Sequence, residues 1–297
     1  MRRPPTFLAA ALAASTLLSL IIPADATVAV RPGSPGTAPA AVVIAEYGLP
    51  AGVVAPFGIA AGPRSSTWFG AGDYIGRIQH NGRMTTYQVP TPGANVGWVT
   101  AGPDSRLWFA ERDGNKIATI NADGSVTEVP VPTPDSGPLG MTLGPDGALW
   151  FTERNAEKIG RFDLTAKTFR EYPLPSGSNP QRITVGGDDA LWFTQFAANK
   201  IGRMTVDGQL TEFPLAPGSG PVGIIADDRG GIWFTLFTAA RIGRMDLNGT
   251  ITAQYNVPTP NSRPIQITVQ PGRGTTVWFT EQGANQIGRL TTDQPRR

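Results

Sequence analysis

The dipeptide Trp-Phe occurs six times in this chain, and its copies are almost evenly spaced. They begin at Trp68, Trp108, Trp150, Trp192, Trp233 and Trp278, which places successive copies 40, 42, 42, 41 and 45 residues apart. A period in the forties that carries a strand-forming aromatic pair is typical of the blades of a β-propeller. Repeats of this kind bury their apolar faces against each other, so we expect the aromatic pairs to form the core between blades.

The fourth repeat shows how one unit is built. Its apolar segments predict four strands, at 182–185, 190–194, 201–205 and 210–215. The pair Asp207-Gly208 separates the last two segments, and Asp-Gly is a strong signal for a tight hairpin turn. Four antiparallel strands in one period make one propeller blade.

Prolines fix the order of the strands within a blade. The predicted fourth strands carry proline near their ends, at Pro90, Pro130, Pro173, Pro214 and Pro258. Proline cannot donate to a strand ladder, so a strand that contains it belongs at the edge of a sheet. The fourth strand is therefore predicted to be the outer strand of its blade.

The two ends of the repeat region predict how the ring closes. Residues 46–50 resemble a fourth strand that has no earlier strands before it, and the last repeat stops after its third strand at 287–290. The simplest assembly pairs these two segments, which leaves no open edge. We therefore expect an all-β propeller of six four-stranded blades whose N-terminal strand closes the last blade, with seven blades as the alternative.

Composition limits the chemistry and the partners of the chain. The chain has 297 residues and no cysteine, which excludes disulfides, thiolate catalysis and thiolate metal ligands. The formal net charge is +2 and basic residues form no stripe, so we expect no nucleic-acid partner. We also expect a monomer.

The N-terminus has the pattern of an export signal. Arg2 and Arg3 precede an apolar run from Phe7 to Ile22, and residues 24–26 (Ala-Asp-Ala) fit a signal peptidase site. The run is short for a membrane span of about 20 residues, so secretion is favoured. We predict a cleaved signal peptide at 1–26, a Pro- and Gly-rich linker at 27–45, the propeller domain at 46–290 and a tail at 291–297.

The repeat also resembles a known family. The third unit carries the motif segments 138–142 (PLGMT), 144–147 (GPDG), 149–153 (LWFTE), 158–161 (KIGR) and 171–175 (EYPLP). This pattern resembles the virginiamycin B lyase family over about residues 46 to 290. The resemblance implies a seven-bladed carbon–oxygen lyase that opens streptogramin B rings, and therefore a role in antibiotic resistance. It also implies Mg²⁺ held by glutamates, and histidines that follow the proline opening the innermost strand.

The sequence departs from that family at the histidine positions. The residues that follow the opening proline are Phe57, Leu139, Gln181, Val222 and Ile265, with Gly97 at that place in the second repeat. The only histidine of the chain, His80, lies in a predicted turn between the third and fourth strands, where an ordinary surface residue is expected.

Two sets of residues are candidates for a site. Oxygen-bearing side chains follow the Trp-Phe strands at Glu111, Glu153, Gln195 and Glu281, and they either converge on a divalent cation or pair with neighbours such as Arg112, Arg154 and Lys158. The second set is a mostly apolar channel mouth formed by Phe57, Trp98, Leu139, Gln181, Val222 and Ile265. Trp98, which replaces a small residue, either contacts a ligand or plugs the channel.

Two functions remain open after these observations. The first is a noncatalytic secreted propeller that binds a small molecule, a peptide or a component of the cell envelope. Its predicted ligand-binding residues are Phe57, Trp98, Glu111, Glu153, Gln181, Gln195 and Glu281. The second is a lyase of the streptogramin B type, or a hydrolase, that uses Glu111, Glu153 and Glu281 with Mg²⁺. No metal ligand and no catalytic residue is assigned.

Overall fold

The computed structural model describes residues 26–29, 44–54, 56–62, 66–79, 81–103, 106–121, 123–270 and 275–292. These residues form strands and turns without helices, and the all-β prediction is confirmed. No helix in the described part of the chain has the length and hydropathy needed to cross a membrane. The predicted signal segment up to residue 25, most of the predicted linker, His80 and the tail from residue 293 lie outside the described residues.

Six antiparallel sheets follow one another along the chain, and each begins with an inner strand. The inner strands are β3 (Pro56–Gly62), β7 (Val96–Ala101), β11 (Pro138–Leu143), β15 (Pro180–Val185), β19 (Pro221–Ala226) and β23 (Pro264–Gln270). Consecutive inner strands contact each other, so they line the axis of a six-bladed propeller. The predicted blade count is confirmed. We number the blades 1 to 6 in chain order.

The remaining strands of each blade follow outward in sequence order. The second strands, which carry the Trp-Phe pairs, are β4 (Ser66–Ala71), β8 (Leu107–Glu111), β12 (Leu149–Glu153), β16 (Leu191–Gln195), β20 (Ile232–Leu236) and β24 (Thr275–Glu281). The third strands are β5 (Tyr74–Ile78), β9 (Lys116–Ile120), β13 (Lys158–Asp163), β17 (Lys200–Met204), β21 (Arg241–Met245) and β25 (Gln286–Thr292). The outer strands are β6 (Met84–Gln88), β10 (Val126–Pro130), β14 (Thr168–Pro173), β18 (Leu210–Pro214) and β22 (Ile251–Asn256). The outer position predicted from the prolines is confirmed.

The strand predicted to complete blade 6 pairs with a different strand in the structure, so this part of the prediction is wrong. Blade 6 has three strands among the described residues, β23 to β25. Of the segment expected to complete it, residues 46 and 47 belong to β2 (Ile44–Tyr47), which pairs with β1 (Ala26–Ala29) in a separate two-stranded unit, and residues 48–50 are not in a strand. Strand β1 comprises the last residue of the predicted signal peptide and the first three residues of the predicted linker. Pairing with a strand that is close in sequence closes a short loop. This costs less chain entropy than closing a loop of more than 200 residues.

The junction of blades 6 and 1 is correspondingly less buried than the others. Ile59 is 68% exposed, whereas Ile183, at the same place in blade 4, is 4% exposed. Ile287 is 66% exposed, whereas Ile201, at the same place on β17, is fully buried. The two blades do meet near the axis, where Gln266 Nε2 donates to the Phe57 carbonyl oxygen at 3.4 Å.

A threonine hydroxyl connects each of blades 3, 4 and 5 to the next blade. In blade 5, Thr235 Oγ1 accepts from Gly223 N at 2.7 Å and donates to the Ile265 carbonyl of blade 6 at 3.0 Å. Thr152 and Thr194 make the same two contacts in blades 3 and 4. All three threonines are fully buried. The hydroxyl therefore fixes the spacing between inner strands around the axis.

We predict that T235V destabilises the propeller by about 1–3 kcal/mol, because a buried N–H and a buried carbonyl lose their partner while the volume is kept. Equilibrium unfolding in urea measures the change. The control is T211V on outer strand β18, where Thr211 is exposed. Equal unfolding free energies for T235V and T211V would show that the hydroxyl does not connect the blades.

Candidate functional site

The candidate site is built by a bulge at the start of each inner strand. In blade 4, Pro180 pairs with Gln195 and Ile183 with Phe193, so two residues, Gln181 and Arg182, stand where the partner strand has one. The same register shift occurs in the other five blades. A bulge redirects side chains that a regular strand would place elsewhere. Each blade can therefore present side chains toward the axis.

The second bulge position holds residues of very different sizes. It is glycine in blades 1, 3 and 5, and a Cβ on Gly140 would lie 2.5 Å from the Gln181 carbonyl oxygen of the next blade. Blades 2 and 4 carry Trp98 and Arg182 there instead. The Arg182 guanidinium carbon lies 3.8 Å from the centroid of the Trp98 ring. Two large side chains from alternate blades therefore meet at the channel.

All six residues predicted at the channel mouth line one pocket, with a volume of about 290 Å³. They are Phe57, Trp98, Leu139, Gln181, Val222 and Ile265. Phe57 stacks on Trp98, with ring centroids 4.6 Å apart and planes inclined by 19°. Trp98 therefore forms one wall of the pocket and does not fill it.

The pocket wall contains six further residues that the sequence patterns did not indicate. Five follow the last residue of a second strand, and the sixth is the bulge residue of blade 4: Arg112, Arg154, Phe196, Phe237, Gln282 and Arg182. Successive side chains of a strand alternate in direction. That alternation could have shown that the residue after each carboxylate or amide, and not the carboxylate itself, faces the channel.

The structure does not bring together the predicted oxygen-bearing residues. Glu111, Glu153, Gln195 and Glu281 are buried, and none of them lines the pocket. Glu153 lies against the third strand of its blade, where a Cβ on Gly160 would be 2.8 Å from its Oε1 atom. In the described part of the chain, no three His, Cys, Asp or Glu residues are placed to hold a metal ion.

The expected pairing of these glutamates with basic neighbours is also absent. Lys158 Nζ donates to Glu171 Oε2 at 2.9 Å, and Lys116 pairs with Glu128 in the same way. Arg112 donates to Asp113 at 2.9 and 3.1 Å. Among the described residues, no ion pair and no hydrogen bond of good geometry reaches the carboxylate oxygens of Glu111 or Glu153. These two glutamates are therefore buried acids without a cation of their own.

Burial makes these two acids neutral near pH 7. Desolvation, followed by the nearby carboxylates of Glu128 and Glu171, raises the pKa of Glu111 and of Glu153 to about 8. The same place in blades 4 and 5 is occupied by Gln195 and Leu236, which carry no charge. A neutral residue at this position is therefore compatible with the fold.

Comparisons with known proteins agree with this architecture. The sequence pattern of the Virginiamycin B lyase family matches residues 42–295. A crystal structure of virginiamycin B lyase from Staphylococcus aureus is 44% identical, with a TM-score of 0.75, covering 80% of this chain and 81% of that chain. A catalytically inactive variant of virginiamycin B lyase from Staphylococcus aureus with quinupristin is 42% identical, with a TM-score of 0.78, covering 82% and 84%.

This chain belongs to the virginiamycin B lyase family. A putative gluconolactonase has a TM-score of 0.59 over 81% of this chain and 89% of its own, at 15% identity, which shows a shared fold alone. No curated protein matches the sequence significantly.

The buried glutamates predict a pH dependence of stability. A carboxyl whose pKa is raised in the folded state stabilises the fold below its unfolded pKa of about 4.5, and that contribution is lost as the pH rises to about 8. We expect the double variant E111Q/E153Q to lose less stability between pH 5 and pH 9 than the wild type does. The difference should be up to about 4 kcal/mol for each carboxyl, because one titrating proton changes stability by up to about 1.4 kcal/mol per pH unit over the range from pH 5 to about 8.

Urea unfolding at pH 5, 7 and 9 measures this difference. The reverse substitution Q195E serves as the matched comparison, since it adds a carboxyl at the equivalent place in blade 4 and should steepen the loss at high pH. If the unfolding free energy of E111Q/E153Q depended on pH as that of the wild type does, the raised pKa values of Glu111 and Glu153 would be contradicted.

Proposed function

We propose that this protein is an exported, noncatalytic propeller that binds a small molecule or a peptide in the channel pocket. One observation carries the proposal: side chains from all six blades line one pocket with aromatic and apolar walls and a few polar groups. Ligand sites in proteins commonly have this composition. Phe57, Trp98 and Gln181 are the predicted contact residues that belong to the pocket.

The residues of the pocket favour binding over catalysis. The positions that the family resemblance assigns to histidines hold Phe57, Leu139, Gln181, Val222 and Ile265, all of which lie at the pocket. None of these side chains can transfer a proton near pH 7. In the Staphylococcus aureus relative, replacement of one histidine by alanine gives a catalytically inactive protein.

The competing proposal is a lyase or hydrolase that uses Glu111, Glu153 or Glu281. The raised pKa of Glu111 and of Glu153 is the observation in its favour, since a base with a pKa near 8 suits proton abstraction. Their burial away from the pocket is the observation against it, because a general base must come within hydrogen-bond reach of its substrate.

We predict no turnover of quinupristin by the purified mature protein in the presence of Mg²⁺. Mass spectrometry of the reaction detects the opened ring, and an active virginiamycin B lyase serves as the positive control. Ring opening above the buffer rate that is lost in E153Q or E281Q would establish the enzyme and overturn the noncatalytic proposal.

We predict that small aromatic molecules bind at Trp98. In protein labelled with ¹⁵N-tryptophan, a set of aromatic acids, amides and amines should shift the Trp98 indole N–H resonance, which is assigned by its loss in W98F. F57A should weaken binding by about tenfold, because it removes one stacked wall. The control I287A changes an exposed residue outside the pocket. If no fragment of any charge moves the Trp98 resonance, the binding proposal fails.

Export is the remaining part of the proposal. It rests on the charged, apolar and small-residue pattern of the first 26 residues. N-terminal sequencing of protein recovered from outside the cytoplasm should begin near Thr27. Recovery of the full chain from the cytoplasm alone would contradict export.

A further inference from the structure

Three hydrogen-bond donors in the pocket wall have no acceptor. They are Trp98 Nε1, Arg154 Nε and Arg182 Nε, and each atom is buried without a partner. Trp98 is only 2% exposed, so water does not replace the missing acceptor at its surface. A buried donor without an acceptor is unfavourable, so a ligand that supplies acceptors here gains affinity by removing that cost.

The pocket wall also carries uncompensated positive charge. Arg112, Arg154 and Arg182 line the pocket, and the wall contains no acidic residue. Asp113 neutralises Arg112 through two hydrogen bonds. Arg182 has only the ring face of Trp98 beneath it. Burial lowers the pKa of Arg182 to about 10, which leaves the guanidinium charged at neutral pH.

The arginines of the third strands in blades 3, 4 and 5 pair with aspartates. Arg161 pairs with Asp146 at 2.7 Å, and Arg203 pairs with Asp188 at 2.6 Å. Arg244 pairs with Asp227 at 3.1 Å. At the same place in blades 1 and 6, Arg77 and Arg289 instead lie over the rings of Trp68 and Trp278. Arg182, at a bulge position that is glycine in three other blades, has no aspartate partner among the described residues.

Aromatic faces lie beside these charged groups. Phe57 stacks on Trp98 in one part of the pocket wall. Phe196 and Phe237, which also line the pocket, meet edge to face with ring centroids 6.1 Å apart. Such surfaces favour a flat apolar ring. A cation beside aromatic walls suits a ligand that combines a ring with a negative charge.

We propose that the ligand of this pocket is an aromatic anion, in which a carboxylate or sulfonate accepts from Arg182, Arg154 and Trp98 Nε1 while the ring lies against the phenylalanines. This inference rests on the proposed binding function, because it names the chemical class that the same pocket takes. Arg182 is the specificity-determining residue.

The test compares two probes of the same shape and different charge. Isothermal titration calorimetry measures binding of 2-naphthoate and of neutral 2-naphthamide, and the Trp98 indole resonance reports the place of binding. We expect 2-naphthoate to bind about tenfold more tightly than 2-naphthamide, because charge-assisted hydrogen bonds are about twice as strong as neutral ones. Its affinity should fall with added salt, and that of 2-naphthamide should not.

Three variants locate the charge that is responsible. R182Q should weaken 2-naphthoate by about tenfold and leave 2-naphthamide unchanged, since the loss of a charged donor affects the anion alone. R154Q should have the same effect to a smaller extent, and R182K should retain part of the preference for the anion. The control R170Q removes an arginine that stacks over Tyr172 on outer strand β14 and should change neither affinity.

The outcomes separate this inference from the proposed function. Equal binding of the two probes, unaffected by R182Q, would overturn the anion inference and leave the binding pocket in place. The absence of any Trp98 response to either probe and to every fragment would overturn both. Thermal unfolding of each variant identifies loss of folding, and if R182Q is unfolded, R182K and R154Q decide the question.

Discussion

The fold depends on burial of the Trp-Phe pairs between neighbouring blades. A single four-stranded sheet is too thin to cover these rings by itself, so each blade requires its neighbours. Trp150 is fully buried, stacks on Tyr172 of the outer strand at 5.4 Å and donates to Asp146 at 3.0 Å. Phe151 lies over Gly160, where a Cβ would be 2.2 Å from its Cζ atom. The same contacts recur at Trp192, which explains why Trp-Phe is present in all six blades and Ile-Gly-Arg in five of them.

The same dependence explains why the junction of blades 6 and 1 differs from the others. Blade 6 lacks an outer strand among the described residues, and Ile287 on β25 is consequently exposed. Ile59 has no well-packed preceding blade and is exposed as well. The aromatic pair of blade 1 is nevertheless buried, because Trp68 packs against core residues of blade 2 and Phe69 packs with Val53 and Ala71. Exposure at the junction is thus confined to the faces that need the missing neighbour.

Residue types differ more between blades at the candidate site than they do in the core. The core positions of the repeat vary little, because they pack within their own blade and against the next one. The bulge residues face the channel, where phenylalanine, tryptophan, leucine, glutamine, valine and isoleucine are all accommodated. Membership of the virginiamycin B lyase family therefore determines the frame, while the chemistry of the pocket is set by residues that can vary within that frame. In this chain, the variable residues provide a pocket with aromatic walls and arginine side chains.

The sequence by itself determined the blade count, the order of strands and the six residues at the channel mouth, because period, proline position and the opening of each inner strand are local patterns. Only the tertiary structure decided which neighbours of those residues share the pocket. Glu153 and Arg154 are adjacent in sequence, yet Glu153 is buried within the blade and Arg154 faces the channel. The contact of Arg182 with Trp98 joins two blades that are separated by a third. Distances across the axis depend on how whole blades pack, and no segment of sequence contains that information.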